Sequence, residues 1–293
     1  MKKITLNKIK LPNDEICSYR TYQGGEKVLV MVHGQLASSI FFEALIQDLP
    51  EAYTVYAIDM RGFGHGTYHR PIDTLRDFAS DLKLFVDAMH LSKFELLGWS
   101  TGGAVSMLFC ASYGEMVTHL YLVASAGISG YHSYAVLENG EKRLLKSKQE
   151  IQEDPSKKEL LKALQTHDKA YYENLWSLIY NRKKPEKDIL DAQLEESLRQ
   201  QSLLDVYYGL TKFNISDGYN GFAMGTREVE RLEMPVTILQ GDSDLLVSVE
   251  TAKVLQTAIG KNAELIVIEN CGHSPMVDGH DVLLRAIVEK ASC

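Results

Sequence analysis

The chain has 293 residues, 45% hydrophobic and 24% charged. That composition fits a globular protein and excludes coiled coil, collagen-like repeat and disordered tail. Its 31 basic and 39 acidic residues give a formal charge of −8, which argues against a nucleic-acid partner where no basic stripe is present. The one short basic run, Arg182-Lys183-Lys184, is followed at once by Glu186 and Asp188 and reads as a solvated face.

Such a length means one large domain or two small ones. Four cysteines, at 17, 110, 271 and 293, form no CxxC pair and no Cys/His cluster, so free thiols are expected and zinc is not. The start, MKKITLNKIKLPNDE, lacks an apolar stretch of signal-peptide length. No apolar run approaches the 18–20 residues of a membrane span. The expectation is a cytoplasmic protein without membrane insertion.

Strand-like and helix-like segments alternate through the first 129 residues. KITLNKIKL and EICSYRTY read as a polar-faced strand pair. KVLVMVHG is a continuous apolar run, as in a strand buried on both faces. SSIFFEALIQDLP reads as a helix stopped at Pro50, and YTVYAIDMRG as the next strand. Leu75, Phe78, Leu82, Phe85, Val86 and Met89 have helical spacing. FELLGWS is a strand, TGGAVSMLFCASYG a helix and LYLVASAG a strand. Strands alternating with single helices imply βαβ crossovers and a mostly parallel sheet.

From about Gly130 to Glu228 the rhythm breaks. No buried strand is legible there, and helices are expected over Lys157–Leu164, Lys169–Tyr180 and Asp188–Leu204. Alternation resumes with PVTILQGDSD, the helix SVETAKVLQTAIG, the strand AELIVIENCGHS and the final helix HDVLLRAIVEKA. The economical account is a core of residues 1–129 and 229–293, interrupted by a helical cap over 130–228.

Gly98-Trp99-Ser100-Thr101-Gly102-Gly103 fits G-x-S-x-G between a strand and a helix. A sharp turn there lifts a serine to the carboxyl end of the sheet, beside a helix N-terminus whose free N–H groups favour negative charge. A serine hydroxyl needs a neighbouring base to become a nucleophile. Of nine histidines, His273 follows a strand-like run in a glycine-preceded loop, and His280 begins the last helix. Asp242 and Asp244 both lie beyond the strand PVTILQ. His65 and His69 lie near Asp59 and Asp73 in a segment with Gly66 and Pro71; that loop is a poor metal site, and no metal or cofactor is expected.

With His33-Gly34, Asp59-Met60-Arg61-Gly62-Phe63-Gly64, Gly241-Asp242-Ser243-Asp244-Leu245-Leu246-Val247 and Gly272-His273, the chain resembles the α/β-hydrolase superfamily over residues 15–129 and 229–293. The resemblance implies an α/β-hydrolase fold with a helical cap, and a Ser100–Asp244–His273 triad. It selects Asp244 because the family's acid stands three after the glycine. It implies oxyanion-hole N–H groups on Thr101 and on Gln35, where many relatives carry a bulky apolar residue. Haloalkane dehalogenases and epoxide hydrolases of this fold use Asp at the elbow, so Ser100 points away from both.

In the cap, Tyr172, Trp176 and Tyr180 form one face of a helix, and Tyr171, Leu175, Leu178 and Ile179 another. One face is expected to pack on the core and the other to cover a pocket. Phe41, Phe42, Trp99, Tyr172 and Trp176 are the expected pocket residues. The resulting expectation is a serine hydrolase for a small to medium, moderately apolar ester or lactone. The alternatives are a C–C hydrolase of dienoate ring-fission products, which needs an arginine for the substrate carboxylate, and a ligand sensor on a hydrolase scaffold. Arg182 and Arg227 lie in or beside the cap.

Overall fold

The structure is a computed structural model and describes residues 1–290. Cys293 and Ala291, the last residue of the expected final helix, lie outside the described residues. In chain order the strands are β1 (Thr5–Lys10), β2 (Ile16–Tyr22), β3 (Lys27–Val32), β4 (Tyr53–Ile58), β5 (Phe94–Trp99), β6 (Val117–Val123), β7 (Tyr134–Val136), β8 (Lys142–Leu144), β9 (Val236–Gly241) and β10 (Ala263–Ile268). The helices are α1 (Glu43–Asp48), α2 (Leu75–Ala88), α3 (Thr101–Tyr113), α4 (Lys148–Glu153), α5 (Pro155–Gln165), α6 (Lys169–Trp176), α7 (Lys187–Ser197), α8 (Leu203–Lys212), α9 (Val249–Ile259) and α10 (His280–Lys290).

Eight strands form one sheet in the order β1-β2-β4-β3-β5-β6-β9-β10. The β1–β2 and β2–β4 pairs are antiparallel, and every other pair is parallel. This is the α/β-hydrolase fold that the resemblance implies. Every residue of β4, β5 and β9 is buried, because helices cover both faces of a parallel sheet. One face packs on α2, α3, α8 and α9 through residues such as Phe78, Phe85, Phe109, Leu210 and Leu255. The other packs on α1, α10 and α5–α7 through residues such as Leu45, Ile287, Leu160, Trp176 and Leu194. Residues of the insertion between β6 and β9 therefore belong to both core clusters.

Three details of the sequence reading are corrected, and one exposed element is added to it. Within 130–228 the chain forms an antiparallel hairpin, β7–β8, whose residues are exposed or half-buried; an exposed strand leaves no apolar run to find. The helix expected over Lys169–Tyr180 ends at Trp176 and continues as turns. The helix expected over Asp188–Leu204 is two helices, broken at residues 198–202, where Gln201 donates its backbone N–H to the Gly62 carbonyl (2.7 Å). The helix expected at 38–50 opens with a 3₁₀ turn, Ser39–Phe42. Cys17, Cys110 and Cys271 are free and buried. Among the described residues no helix is long and apolar enough to cross a membrane.

Candidate active site

Ser100 stands between β5 and α3 with φ 54° and ψ −117°, a strained conformation that costs about 1–3 kcal/mol. Glycines make the turn possible. A Cβ on Gly98 would stand 2.5 Å from the Gly102 oxygen, and one on Gly102 would stand 2.2 Å from the Val32 oxygen. The end of β6 holds the turn: Ser100 donates its N–H to the Val123 carbonyl (3.0 Å), and its own carbonyl accepts from Ala126 (3.1 Å). The Ser100 side chain does not cap α3 and is free for another partner.

That partner is His273. Its Nε2 lies 3.0 Å from Ser100 Oγ, and its Nδ1 lies 2.8 Å from Asp244 Oδ2. The Trp99 indole N–H donates to the His273 carbonyl (2.8 Å) and fixes the loop. Asp244 Oδ1 accepts the N–H groups of Leu246 (2.7 Å) and Val247 (2.9 Å), and Gln240 Nε2 donates to Oδ2 (2.9 Å). Burial acts to raise the Asp244 carboxyl; the His273 bond and charge, with the two backbone N–H groups, outweigh it and hold the acid below its ordinary value. Asp242 is exposed and accepts from the Ser243 hydroxyl (2.8 Å) and the Cys271 N–H (3.3 Å). His280 bonds the Met276 carbonyl (2.9 Å) and Asp48 (2.8 Å), away from Ser100.

The loop after β3 faces the elbow. His33 is fully buried between two backbone partners: Nδ1 donates to the Gly34 carbonyl (2.8 Å), and Nε2 accepts from Met60 N–H (3.1 Å). Burial holds its pKa below the ordinary value, which keeps this neutral tautomer. In a trans peptide C=O and N–H point opposite ways, so fixing the Gly34 carbonyl also aims the Gln35 N–H. Among the described residues neither Gln35 N–H nor Thr101 N–H donates to a protein acceptor. Both residues line the cavity at Ser100. Asp59 accepts from Ser39 N–H (2.7 Å) and the Ser18 hydroxyl (2.5 Å), and Arg61 pairs with Asp81 (2.6 Å). The D-x-R-G-x-G turn thus braces the loop from behind.

The cavity has a volume of about 130 Å³ and reaches Ser100, His273 and Trp99. Its apolar wall includes Leu36, Leu175, Leu178, Ile179, Leu210 and Val247, with Tyr131 and Tyr207. Phe41, Phe42, Tyr172 and Trp176, expected at the pocket, are not in this wall. Phe41 stacks on Trp176 (4.6 Å between ring centres), Phe42 meets Trp99 edge-on (6.4 Å), and Trp176 stacks on Tyr180 (5.4 Å). The reason is shape: flat rings fill the seam between insertion and core, and the aliphatic face is left for the cavity. Arg182 reaches the Ser243 hydroxyl (2.6 Å), and Arg227 pairs with Glu230 (2.8 Å). No arginine or lysine is among the residues of the cavity wall.

Glu196 and Gln200 are among the further residues not singled out in the sequence. Buried Glu196 on α7 accepts from Arg20 (2.5 Å), lies 3.2 Å from His65 Nε2 and accepts from the Ser38 hydroxyl. Gln200, in the break before α8, reaches Gln35 and Leu36. Polar residues in amphipathic helices read as solvated faces, so nothing in the sequence marks these two. Among the described residues no three His, Cys, Asp or Glu side chains are grouped to hold a metal.

The profile of the alpha/beta hydrolase fold family matches residues 27–280, and the chain belongs to that family. Monoacylglycerol lipase ABHD6 of Bos taurus is 26% identical over 265 residues, which cover 89% of this chain and 74% of the relative. The fold is shared with the esterase EaEST from Exiguobacterium antarcticum, at a TM-score of 0.78 and 19% identity over 99% of this chain and 100% of that one. A serine hydrolase involved in carbazole degradation, the CarC enzyme, has a TM-score of 0.71 at 19% identity, covering 99% of both chains.

Proposed function

We propose that the chain is a serine hydrolase for neutral carboxylic esters or lactones of small to medium size, working through an acyl-enzyme. One observation carries this reading: Ser100, strained at the elbow, meets His273 at 3.0 Å, and His273 meets Asp244 at 2.8 Å, beside an apolar cavity. His273 Nε2 takes the Ser100 proton as Oγ attacks the carbonyl carbon, and the Gln35 and Thr101 N–H groups stabilise the oxyanion. His273 then passes the proton to the leaving alkoxide. Water, activated by the same nitrogen, hydrolyses the ester at Ser100. Asp244 stays ionised and holds the ring. The uncharged wall favours a neutral acyl group over a dienoate, whose carboxylate needs a cation. The activity in the name of the ABHD6 relative, monoacylglycerol lipase, accords with a neutral ester.

A fluorophosphonate probe is expected to label the folded wild-type chain at Ser100 and to leave Ser100→Ala unlabelled. Against a panel of p-nitrophenyl esters of rising chain length, Ser100→Ala and His273→Ala should each lose nearly all turnover. The double variant should be little worse, because such residues act as a unit. Losses that add would overturn the assignment.

A further inference from the structure

We propose that Gln200 is a positioning residue: from the insertion it holds the oxyanion loop in the conformation that aims the Gln35 N–H. This rests on the reading of Ser100 as nucleophile and Gln35 as oxyanion donor. The loop Gly34–Ala37 is a tight turn, closed by Ala37 N–H on the Gly34 carbonyl (3.4 Å). Its third residue, Leu36, has φ 62°. A positive φ at that position ordinarily calls for glycine, because a Cβ crowds the neighbouring carbonyl. A leucine there costs about 1–2 kcal/mol, and a strained conformation persists only where its surroundings over-determine it.

Gln200 supplies the hold with one amide. Its Oε1 accepts the Leu36 N–H (3.2 Å), and its Nε2 donates to the Gln35 side-chain oxygen (3.0 Å). The Gln35 amide in turn reaches the Leu203 carbonyl at 3.4 Å. Gln200 is only 3% exposed, and its bond to the Leu36 N–H is buried. The Gln35 peptide is therefore fixed from two sides: His33 holds the Gly34 carbonyl before it, and Gln200 holds the Leu36 N–H after it. The insertion grips the same loop again two residues on, where Ser38 donates to Glu196. The break between α7 and α8 puts Gln200 in place, since an unbroken helix would carry it along the helix axis. Removing the amide strands a buried N–H and lets Leu36 relax toward negative φ. Gln35 N–H then drifts from a position that has to be held within about 0.5 Å. Outright loss of one oxyanion donor costs about 10²–10³ in kcat, so a displaced donor is expected to cost less.

The test is steady-state hydrolysis of p-nitrophenyl butyrate by full-length variants, with thermal melting alongside. Gln200→Met keeps the shape and removes the amide; kcat should fall roughly 10- to 100-fold, with KM within about threefold. The pH profile of kcat/KM should keep its wild-type shape, because Ser100, His273 and Asp244 are untouched. Gln200→Glu keeps an acceptor for Leu36 N–H, and the Gln35 amide can turn its NH₂ toward it; this variant should recover at least about half of the loss on a logarithmic scale. Wild-type kcat in Gln200→Met, a KM that rises as far as kcat falls, or a Gln200→Glu no better than Gln200→Met would each overturn the proposal. If Gln200→Met does not fold, Gln35→Leu decides. It cuts one of the two bonds and should lower kcat about 3- to 10-fold at constant KM, whereas unchanged kcat overturns the proposal. Ser100→Ala, run in parallel, separates the two claims. If it is inactive while Gln200→Met is unaffected, only the positioning role falls; if it is active, the nucleophile and the positioning role fall together.

Discussion

Asp242 and Asp244 show how two residues of spacing decide a side chain's surroundings. Asp244 has its side chain out of solvent and its two oxygens divided: one toward His273 and Gln240, the other toward two backbone N–H groups. Asp242 turns to solvent and ties Ser243 to the loop of Cys271. Asp244→Asn replaces an acceptor with an amide and lets the His273 ring take the wrong tautomer; kcat should fall about 10³–10⁴-fold. Asp242→Asn keeps an acceptor for both of its partners and should stay within about threefold of wild type. Stopped assays on the two variants check this, and the reverse order would move the acid to Asp242. The spacing of the loop left both carboxylates open, and the family pattern chose between them. Gln240 and Gln200 were not legible at all, because an amide in a strand or a helix break has no pattern until the fold supplies its partner.

At the scale of elements, legibility followed burial. β4, β5 and β9, buried throughout, wrote predominantly apolar runs into the sequence. The β7–β8 hairpin, with its exposed faces, wrote none. In and after α6 two apolar faces were evident, but their assignment depends on what each meets. Trp176 meets the core aromatics Phe41 and Trp99, with Tyr172 and Tyr180 buried in the same cluster, and Leu175, Leu178 and Ile179 meet the cavity. The two faces should therefore fail differently. Trp176→Ala opens a void against Phe41 and Trp99 and should cost about 3–5 kcal/mol of stability, read by urea unfolding. Leu175→Trp fills the cavity instead. It should lower kcat/KM for long acyl chains at least about tenfold while sparing acetate and butyrate esters, since filling a pocket selects by size. A uniform loss across chain lengths would place Leu175 outside the substrate's path.

For the whole molecule, the sheet separates the proposed active site from a second buried polar cluster. Ser100 stands at the carboxyl end of β5, and Glu95 lies near its other end. Glu95 is buried and accepts from the Tyr121 hydroxyl (3.3 Å), while Tyr121 and Tyr53 both lie 3.3 Å from the Ile287 carbonyl of α10. Burial pushes the Glu95 carboxyl up to about 7. Between the unfolded value of 4.5 and about 7 the folded chain holds a proton that the unfolded chain has lost. Stability from this group is therefore fully present below 4.5, declines as pH rises through that window, and is absent above it. His119, stacked on Tyr121 (4.4 Å), opposes this: burial lowers it to about 4, so its contribution is lost as pH falls from 6.5 toward 4. The wild-type pH curve mixes the two slopes, and a difference between variants isolates one. Glu95→Gln still accepts from Tyr121 and can never ionise. Its gain over wild type should be near zero at pH 4.5, grow to pH 7 and level off at about 1–2 kcal/mol once solvent screening is allowed for. Paired thermal melts across pH 4.5–8.5 read this as a gap of roughly 2–6 °C at the alkaline end. A constant gap across that range would mean that the Glu95 carboxyl ionises alike in the folded and unfolded chains. Ester turnover at saturating substrate should match wild type throughout, because Glu95, Tyr121, Tyr53 and Ile287 are not among the residues that line the Ser100 cavity.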